Sequence, residues 1–293
     1  HSFPTRRSSD LFLVIYNSGA GILRAVGNSR NPLIYLAISS VINVSLDLIF
    51  VIVFDMGILG VAVATFIAQL VSAILVILHL MHTDDVYKLI LKNIRIDFHM
   101  LEGIVRMGVP TGIQQTVVSF SNVLVQSYVN SFGANAIAAF SAADKFNAFL
   151  AMPTNSLSLT ITTFTGQNLG ANKKERVQEG IKKTVLMGVI AVVMLGIPTF
   201  LFAEQLISIF SKSPEVIAYG ARQLRIVVPF YTFLAVNAIL SAALRGSGLT
   251  MVPMFIMIFS FTILRQVFLY LAMRINRSMD MVFWSYSVTW FAS

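Results

Sequence analysis

The sequence predicts an all-α, polytopic membrane protein. Of its 293 residues, 56% are hydrophobic and only 12% are charged, and the mean hydropathy is +0.79. Soluble domains carry about 25% charged residues, so this chain has too little polar surface to cover a water-soluble globule. The apolar residues also fall in runs of about twenty, the length at which a helix crosses about 30 Å of hydrocarbon.

These runs define nine membrane helices, of which about seven are complete and two are partial. In chain order we expect them at 12–25 (partial), 32–54, 58–81, 107–130, 134–164, 184–202, 216–244, 253–273 and from 281 onwards (partial). A polar stretch at 82–100 follows the third run, and a polar hairpin at 204–215 follows the sixth.

Lysine and arginine are distributed unequally between alternate loops. One set of loops contains Arg24, Arg30, Lys88, Lys92, Arg95, Arg106, Lys173, Lys174, Arg176, Lys182, Lys183 and Arg245. The opposite set contains only Lys212, Arg274 and Arg277. Since cytoplasmic loops carry the excess of basic residues, we expect the first set inside and the hairpins near Asp55, Gly133 and Ser211 outside. This placement accounts for the net charge of +8 without a nucleic-acid partner.

Both ends of the chain look cut. The opening HSFPTRRSSDL is one reading frame of a common sequencing-adapter primer, so we expect 1–11 to be a non-native tail. The last residues, FWSYSVTWFAS, stop inside an apolar run. We therefore expect this chain to be a fragment of a longer membrane protein.

A short motif occurs twice. Residues 21–32, GILRAVGNSRNP, match 242–253, AALRGSGLTMVP, at a leucine, an arginine, a glycine and a proline, each 221 positions apart. Both copies join the end of one apolar run to the start of the next on the predicted cytoplasmic side. A tight turn explains either copy alone, but four matches at equivalent places favour two parallel repeats related by an axis along the membrane normal.

The strongest chemical signal is Asp47, which lies inside an apolar run seven residues before Phe54. A carboxylate at mid-membrane costs about 2.5–3.5 kcal/mol on insertion scales, so it must pair, protonate or bind a cation. Asn43 lies one turn earlier, and Thr65, seven residues into the next run, should lie at the depth of Asp47. With Gln69 one turn further in, these residues predict an oxygen-rich site for Na⁺ or a proton. The alternative is a polar cluster that only holds two helices together.

Several longer motifs carry a family resemblance. ILRAVGNSRNP, NVSLDLIF and MGILGVAVATFIAQ resemble the segment linking the fourth, fifth and sixth helices of multidrug and toxic compound extrusion (MATE) transporters. RMGVPTGIQQ is similar to the start of the seventh helix and GANAIAAFSAADKFNAFLAMPTNSLSLTITTFTGQNLGA to the eighth. The resemblance implies a two-lobe helical bundle. It divides the chain into the end of the N-lobe at 12–81, a cytoplasmic linker at 82–100 and the C-lobe at 101–293.

The resemblance also implies roles for residues. Family members with a cation site in the N-lobe use Asn, Asp and Thr at the positions of Asn43, Asp47 and Thr65; their acidic partner in the first helix lies outside this chain. Another branch has a glutamate in the seventh helix, where this chain reads TVVS at 116–119. A C-lobe cation site of that kind is therefore not expected.

Other polar residues lie in the second half. Four polar residues lie at helical spacing in the segment that is similar to the family's seventh helix: Gln115, Ser119, Asn122 and Gln126. They predict either a substrate cavity or a contact between helices. Asp144 and Lys145 are adjacent in the next span. Two interpretations are open. In the first, one of these two residues pairs with Arg265; in the second, Asp144 lies in the cavity as a substrate or proton site.

The motifs of enzymes and pumps are missing. The chain has no cysteine, no phosphate-binding loop, no clustered histidines and no nucleophile elbow. We therefore expect no enzyme activity and no cofactor, and no metal beyond Na⁺ at Asp47. The expected function is efflux of small amphiphilic or cationic drugs by antiport with Na⁺ or H⁺, by a monomeric multi-pass protein of the plasma (inner) membrane bilayer. The fragment alone should be inactive. The alternatives are a flippase of lipid-linked saccharides and a non-transporting membrane scaffold.

Overall fold

The computed structural model describes the backbone from Phe3 to Ser293 and side chains from Asp10 onwards. Within these residues the chain forms helices and no β-strand. The helices are α1 (Phe3–Ala25), α2 (Arg30–Leu48), α3 (Gly57–His82), α4 (Phe98–Asn130), α5 (Ala134–Gly170), α6 (Lys174–Leu201), α7 (Ala203–Ser208), α8 (Pro214–Val227), α9 (Tyr231–Gly246), α10 (Met251–Ile258), α11 (Arg265–Ile275) and α12 (Met279–Ala292).

Three of the apolar runs contain a change of helix type. A π-helical turn, Ile49–Val53, extends α2, and another, Phe259–Leu264, joins α10 to α11. A 3₁₀ turn, Val228–Phe230, joins α8 to α9. Five stretches are long and apolar enough to cross a membrane: Arg30–Val53, Gly57–His82, Lys174–Leu201, Pro214–Gly246 and Met251–Ile275. The predicted all-α polytopic membrane fold is confirmed, with a helix at each of the nine predicted runs.

The helices extend further into polar sequence than the hydropathy predicts. α4 begins at Phe98 because Asp97 caps it, its Oδ1 accepting from the amides of His99 (2.9 Å) and Met100 (3.3 Å). α5 continues to Gly170, and α6 begins ten residues before the predicted Thr184. Hydropathy therefore finds the part of each helix inside the hydrocarbon, while its polar ends lie beyond.

The chain divides into two compact units, His1–Ile96 (unit 1) and Asp97–Ser293 (unit 2). The division falls inside the predicted linker 82–100, where a 3₁₀ turn, Leu91–Asn93, is the regular element between α3 and α4. The assignment of these units to the two family lobes stays a prediction. Of the expected non-native tail 1–11, His1 and Ser2 lie outside the described residues, and the remainder continues as the start of α1.

Unit 1 is a three-helix layer in which α3 packs against both α1 and α2. Its core lies between α1 and α3, where Tyr16, Leu23 and Val76 are buried. The Tyr16 hydroxyl donates to the carbonyl oxygen of Pro32 at 2.8 Å, which ties the start of α2 to α1. In unit 2, α5 is central and packs against α6, α8 and α9, and α12 packs against α8.

The repeated motif forms the same turn in both units. The amide of Gly27 donates to the carbonyl of Arg24 (2.9 Å), and in unit 2 the amide of Gly248 donates to that of Arg245 (3.0 Å). Both glycines have positive φ, +90° and +86°, which defines the left-handed end of a Schellman turn. Asn172 closes the α5–α6 turn in the same way at φ +56°. The α5–α6 turn has a different sequence and the same geometry, so the geometry alone does not indicate a repeat. The evidence for the repeat is the matched residues and their equivalent places in the two units.

Candidate functional site

The predicted cation-binding residues of unit 1 lie on α2 and α3, which run in opposite directions. Ser39 Oγ donates to the carbonyl oxygen of Ala68 at 2.8 Å, which fixes the register of the two helices. One turn outward on α2 corresponds to one turn backward on α3. This register brings Asn43 level with Thr65.

Two contacts between α2 and α3 bear on the depth of Asp47. Counted from Ser39 and Ala68, Asp47 lies about one turn, roughly 6 Å, further out than Thr65. Counted from Phe50, whose Cβ would lie 2.9 Å from a Cβ added at Gly60, the difference is only about 3 Å. The equal depth of Asp47 and Thr65 stays a prediction.

Gln69 comes level with Ser39 and so lies about two turns inward from Asp47. The four predicted side chains thus form a polar row along the α2–α3 contact rather than one point. We use "polar row" below for Asp47, Asn43, Thr65 and Gln69. Its outer part, Asp47 with Asn43 and Thr65, is compact enough to act as one site, and Gln69 lies at its inner end.

Three members of the polar row contain a buried polar atom that has no hydrogen-bond partner within the described part of the chain. Asp47 Oδ1 and Gln69 Oε1 are acceptors, and Asn43 Nδ2 is a donor. Buried polar groups in proteins are nearly always paired, and a carboxylate oxygen in an apolar helix is especially costly to leave unpaired. A cation or a proton would supply what Asp47 lacks.

The oxygen ligands that the polar row offers suit a hard monovalent cation. Among the residues described, no group of three or more His, Asp or Glu side chains could hold a metal, so the polar row offers one carboxylate together with neutral oxygens. Carboxylate, amide and hydroxyl oxygens suit Na⁺ rather than a transition metal.

Unit 2 contains a cavity of about 370 Å³ between α4, α5, α8, α9 and α12. Three of the predicted cavity residues line it: Asn122, Gln126 and Asp144. The other two, Gln115 and Ser119, are exposed on α4 and are not among the lining residues of this cavity. Their place in a substrate cavity stays a prediction.

Four further cavity residues were missed by the sequence reasoning: Asn147, Gln223, Tyr231 and Tyr286. Gln223 is 1% exposed. A glutamine about two turns inside an apolar run was a usable signal. However, it stands between Arg222 and Arg225, which are exposed, and its burial depends on the packing of α5 and α12 against α8.

Two amide side chains support the Asp144 carboxylate. Asn147 Nδ2 donates to Asp144 Oδ1 at 3.2 Å, and Gln223 Nε2 approaches the same oxygen at 3.5 Å. The hydroxyl of Tyr231 donates to the backbone carbonyl of Asn147 at 3.1 Å, which holds that part of α5 against α9. The carboxylate is therefore oriented by one amide from its own helix, α5, and one from α8.

The expected ion pair with Arg265 is not formed. In the described chain, no ion pair joins Arg265 to Asp144, and Lys145 cannot form one because it carries the same charge as Arg265. The guanidinium is instead held by neutral groups. Its Nη1 donates to Asn122 Oδ1 (2.9 Å) and its Nη2 to Thr289 Oγ1 (3.3 Å). Its Cζ lies 4.6 Å from the centre of the Tyr286 ring and 5.3 Å from that of Phe261, distances typical of cation–π contacts.

Comparison with known proteins shows what these units resemble. The chain is 29% identical over 256 residues to the "Probable multidrug resistance protein YoeA" of Bacillus subtilis, covering 85% of this chain and 55% of that protein. It is 29% identical to the "Probable multidrug resistance protein NorM" of Thermotoga maritima, covering 81% and 52%. The chain therefore spans about half the length of these curated relatives.

The fold matches solved structures. "Crystal structure of MATE in the bent conformation" superposes with a TM-score of 0.89 at 22% identity, over 98% of this chain and 64% of that one. A Vibrio cholerae MATE transporter, VcmN, gives 0.90 at 21% identity, over 97% and 65%. At this identity the likeness shows the fold alone.

The family model described as MatE matches residues 110–271, which is more than half of the chain. This confirms the resemblance found in the motifs, and a family of transporters agrees with the prediction that the chain is not an enzyme. The chain belongs to the MatE family.

Proposed function

We propose that the protein containing this chain exports drug-like compounds by antiport, with the coupling Na⁺ or proton bound at Asp47. The observation that carries the proposal is the buried Asp47 Oδ1, which has no hydrogen-bond partner in the described chain and lies in an apolar helix of an exporter family. An ion can drive export only if its affinity differs between two conformations of the protein. A carboxylate that lacks a fixed partner meets that need, because its partner can change between states.

The outer part of the polar row supplies the other ligands. Asn43 lies one turn from Asp47 on the same face of α2, and Thr65 is level with Asn43 on α3. Their amide and hydroxyl oxygens are hard ligands that can replace part of the hydration shell of Na⁺. For a proton, Asp47 alone would be the acceptor and Asn43 would hydrogen-bond to it.

The unit 2 cavity supports a cationic substrate. Its charged lining residue is Asp144, and its walls include the aromatic rings of Phe140, Tyr231, Tyr286 and Trp290. A flippase for lipid-linked saccharides would need basic groups for a phosphate, and neither lysine nor arginine is among the lining residues. The names of the two relatives also favour export of drug-like compounds over flipping of lipid-linked saccharides, since both are called probable multidrug resistance proteins.

The setting we propose is a bilayer, with the basic loops on the cytoplasmic side of the plasma (inner) membrane. The protein would act as a monomer without a cofactor.

The test is Asp47→Asn in the full-length protein, with efflux of a fluorescent cationic drug measured from cells or proteoliposomes. We expect the ion-driven component of efflux to be lost, because the amide keeps the shape of the carboxylate without its charge. Asp55→Asn is the matched control: Asp55 is exposed in the α2–α3 hairpin at φ +51°, a conformation that asparagine also tolerates. If Asp47→Asn left efflux and its ion dependence unchanged, the proposal would be wrong.

A further inference from the structure

We propose that a groove between α5 and α6 binds the phosphate headgroup of an anionic phospholipid through Arg176 and Lys183. The groove lies within unit 2 and shares no lining residue with the cavity around Asp144. The site is therefore separate from the proposed transport function, and it depends neither on the coupling ion nor on the exported compound.

The groove has a volume of about 290 Å³ and changes in character along its length. Arg176, from the first turns of α6, lies nearest the α5–α6 turn. The lining residues of α5 include Ile161 and Phe164, which are apolar and lie further from that turn. A ligand that fills the groove should therefore have an anionic end and a hydrocarbon end.

The groove lies at the level where both helices leave the hydrocarbon. The apolar run of α5 is predicted to end at Phe164 and that of α6 to begin at Thr184, and both residues line the groove. Arg176 precedes Lys183 by seven residues, so it lies roughly 10 Å further out along α6. This distance covers a headgroup layer of about 5–8 Å. The two cations thus bracket the depth at which lipid phosphates lie, on the predicted cytoplasmic side.

The charges around the groove favour an anion. Lys183 Nζ is paired with Glu179 Oε1 at 2.6 Å, whereas Arg176 forms no ion pair with any residue that the structure describes. The positive charge of Arg176 is therefore uncompensated. The surrounding segment 173–183 contains five basic residues and two acidic ones, which adds to the attraction. A guanidinium binds phosphate oxygens through two parallel hydrogen bonds, so Arg176 is the main ligand in this proposal.

The apolar part of the groove distinguishes a lipid from a free phosphate. A Cβ added at Gly180 would clash with the ring of Phe164, so the glycine lets this ring lie directly against the backbone of α6. The ring is only half-buried and gives the groove an apolar floor. An acyl chain can pack on this floor while its phosphate reaches Arg176. Basic pockets between membrane helices on the cytoplasmic side commonly bind anionic lipid headgroups.

The experiment measures competition between dioleoylphosphatidylglycerol and dioleoylphosphatidylcholine, which have the same acyl chains, for the first lipid bound to the full-length protein in native mass spectrometry. We expect phosphatidylglycerol to be preferred. Arg176→Gln should lower that preference about fivefold, the effect of one basic residue near an anionic headgroup. Glu179→Gln should raise it, because Lys183 is then released to the phosphate. Lys182→Gln and Glu175→Gln are the matched controls, since they change the same charges at exposed positions that do not line the groove. Each should change the preference by less than about twofold, because a charge outside the groove acts only through the screened field.

Three results would overturn the inference. Equal losses in Arg176→Gln and Lys182→Gln would mean that the basic surface attracts anionic lipid without a defined site. A weaker preference in Glu179→Gln would show that this carboxylate does not compete with the phosphate for Lys183. Displacement of phosphatidylglycerol by an equal concentration of sn-glycerol 3-phosphate, which has the phosphate but no acyl chain, would make the ligand a free phosphate rather than a lipid.

Discussion

Each unit contains a charged residue inside the helix that follows its copy of the repeated motif, but the surroundings of the two charges differ. α2 follows the turn at Gly27, and the α10–α11 helix follows the turn at Gly248. At the offset of 221 that relates the two turns, Arg265 corresponds to the position directly after Asn43. Unit 1 therefore places an acid, and unit 2 a base, on the same helix of the repeat.

The buried carboxylate oxygen of the acid is unpaired, whereas most of the base is held in place. Asp47 Oδ1 has no hydrogen-bond partner among the described residues. Arg265 Nε lacks one too, but the other two guanidinium nitrogens donate to Asn122 and Thr289, and the group packs against two aromatic rings. A group with fixed neutral partners cannot exchange them without unpacking the core. We therefore infer that a charge inside the membrane binds a mobile ligand only when other side chains do not hold it, which makes Asp47 a functional candidate and Arg265 a structural one.

The largest expected effect comes from removing the Arg265 side chain, which tests whether this residue is structural. Arg265→Ala should destabilise the protein by about 3 kcal/mol, because it leaves a cavity between two rings and removes the donor to the side-chain carbonyl of Asn122. Arg265→Met should cost less, since the side chain still fills the space. Thermal unfolding in detergent measures both.

Arg274 is the matched control for that loss. It also lies over an aromatic ring, 4.4 Å from the centre of Tyr270, but it is exposed at the end of α11. Arg274→Ala should change the free energy of unfolding by about 0.5 kcal/mol or less. If Arg265→Ala were as mild as Arg274→Ala, Arg265 would not be structural, and the contrast with Asp47 would disappear.

Removing the charge of Asp47 should have the opposite effect on the stability of the protein. Asp47→Asn should stabilise the protein by about 1–2 kcal/mol in the absence of Na⁺, because it removes a charge that the apolar helix tolerates poorly. Stability sacrificed at functional sites is commonly recovered when the site is removed.

Ligand-dependent unfolding sharpens the prediction. If Na⁺ is the coupling ion, NaCl should raise the unfolding temperature of the wild-type protein more than choline chloride does, because an ion that binds only the folded state stabilises it. The Asp47→Asn variant should lose that difference. A destabilised Asp47→Asn variant would instead support the interpretation in which the polar row only joins two helices.

Much of the fold could be predicted from the sequence, because twenty-residue apolar runs have few structural alternatives. The errors lie at the polar ends of helices. α6 begins at Lys174 rather than Thr184, since its first turns are polar but still helical, with Lys183 and Glu179 paired at 2.6 Å one turn apart. Hydropathy responds to the bilayer and not to the hydrogen bonds that continue a helix beyond it.

The candidate sites were predictable where one residue stood out from its neighbours. Asp47 was evident because a carboxylate in an apolar run has few explanations. Gln223 was missed because it faces Asp144 from α8, 79 residues further along the chain. Asn147 lies one helical turn from Asp144 on the same helix, so its i, i+3 spacing was a usable signal that the sequence reasoning did not use.

The smallest expected effect compares the two copies of the repeated turn. Gly27→Ala and Gly248→Ala should each destabilise the protein by about 1 kcal/mol, because alanine disfavours the left-handed conformation that both glycines adopt. Space is not the cause, since a Cβ at either position would meet nothing within 4 Å. Gly21→Ala is the control: Gly21 lies inside α1 with equal space around it, and alanine there should stabilise by about 0.5–1 kcal/mol. Thermal unfolding measures all three variants. A loss at only one of the two turns would contradict the prediction that both glycines stabilise their units through the same backbone conformation.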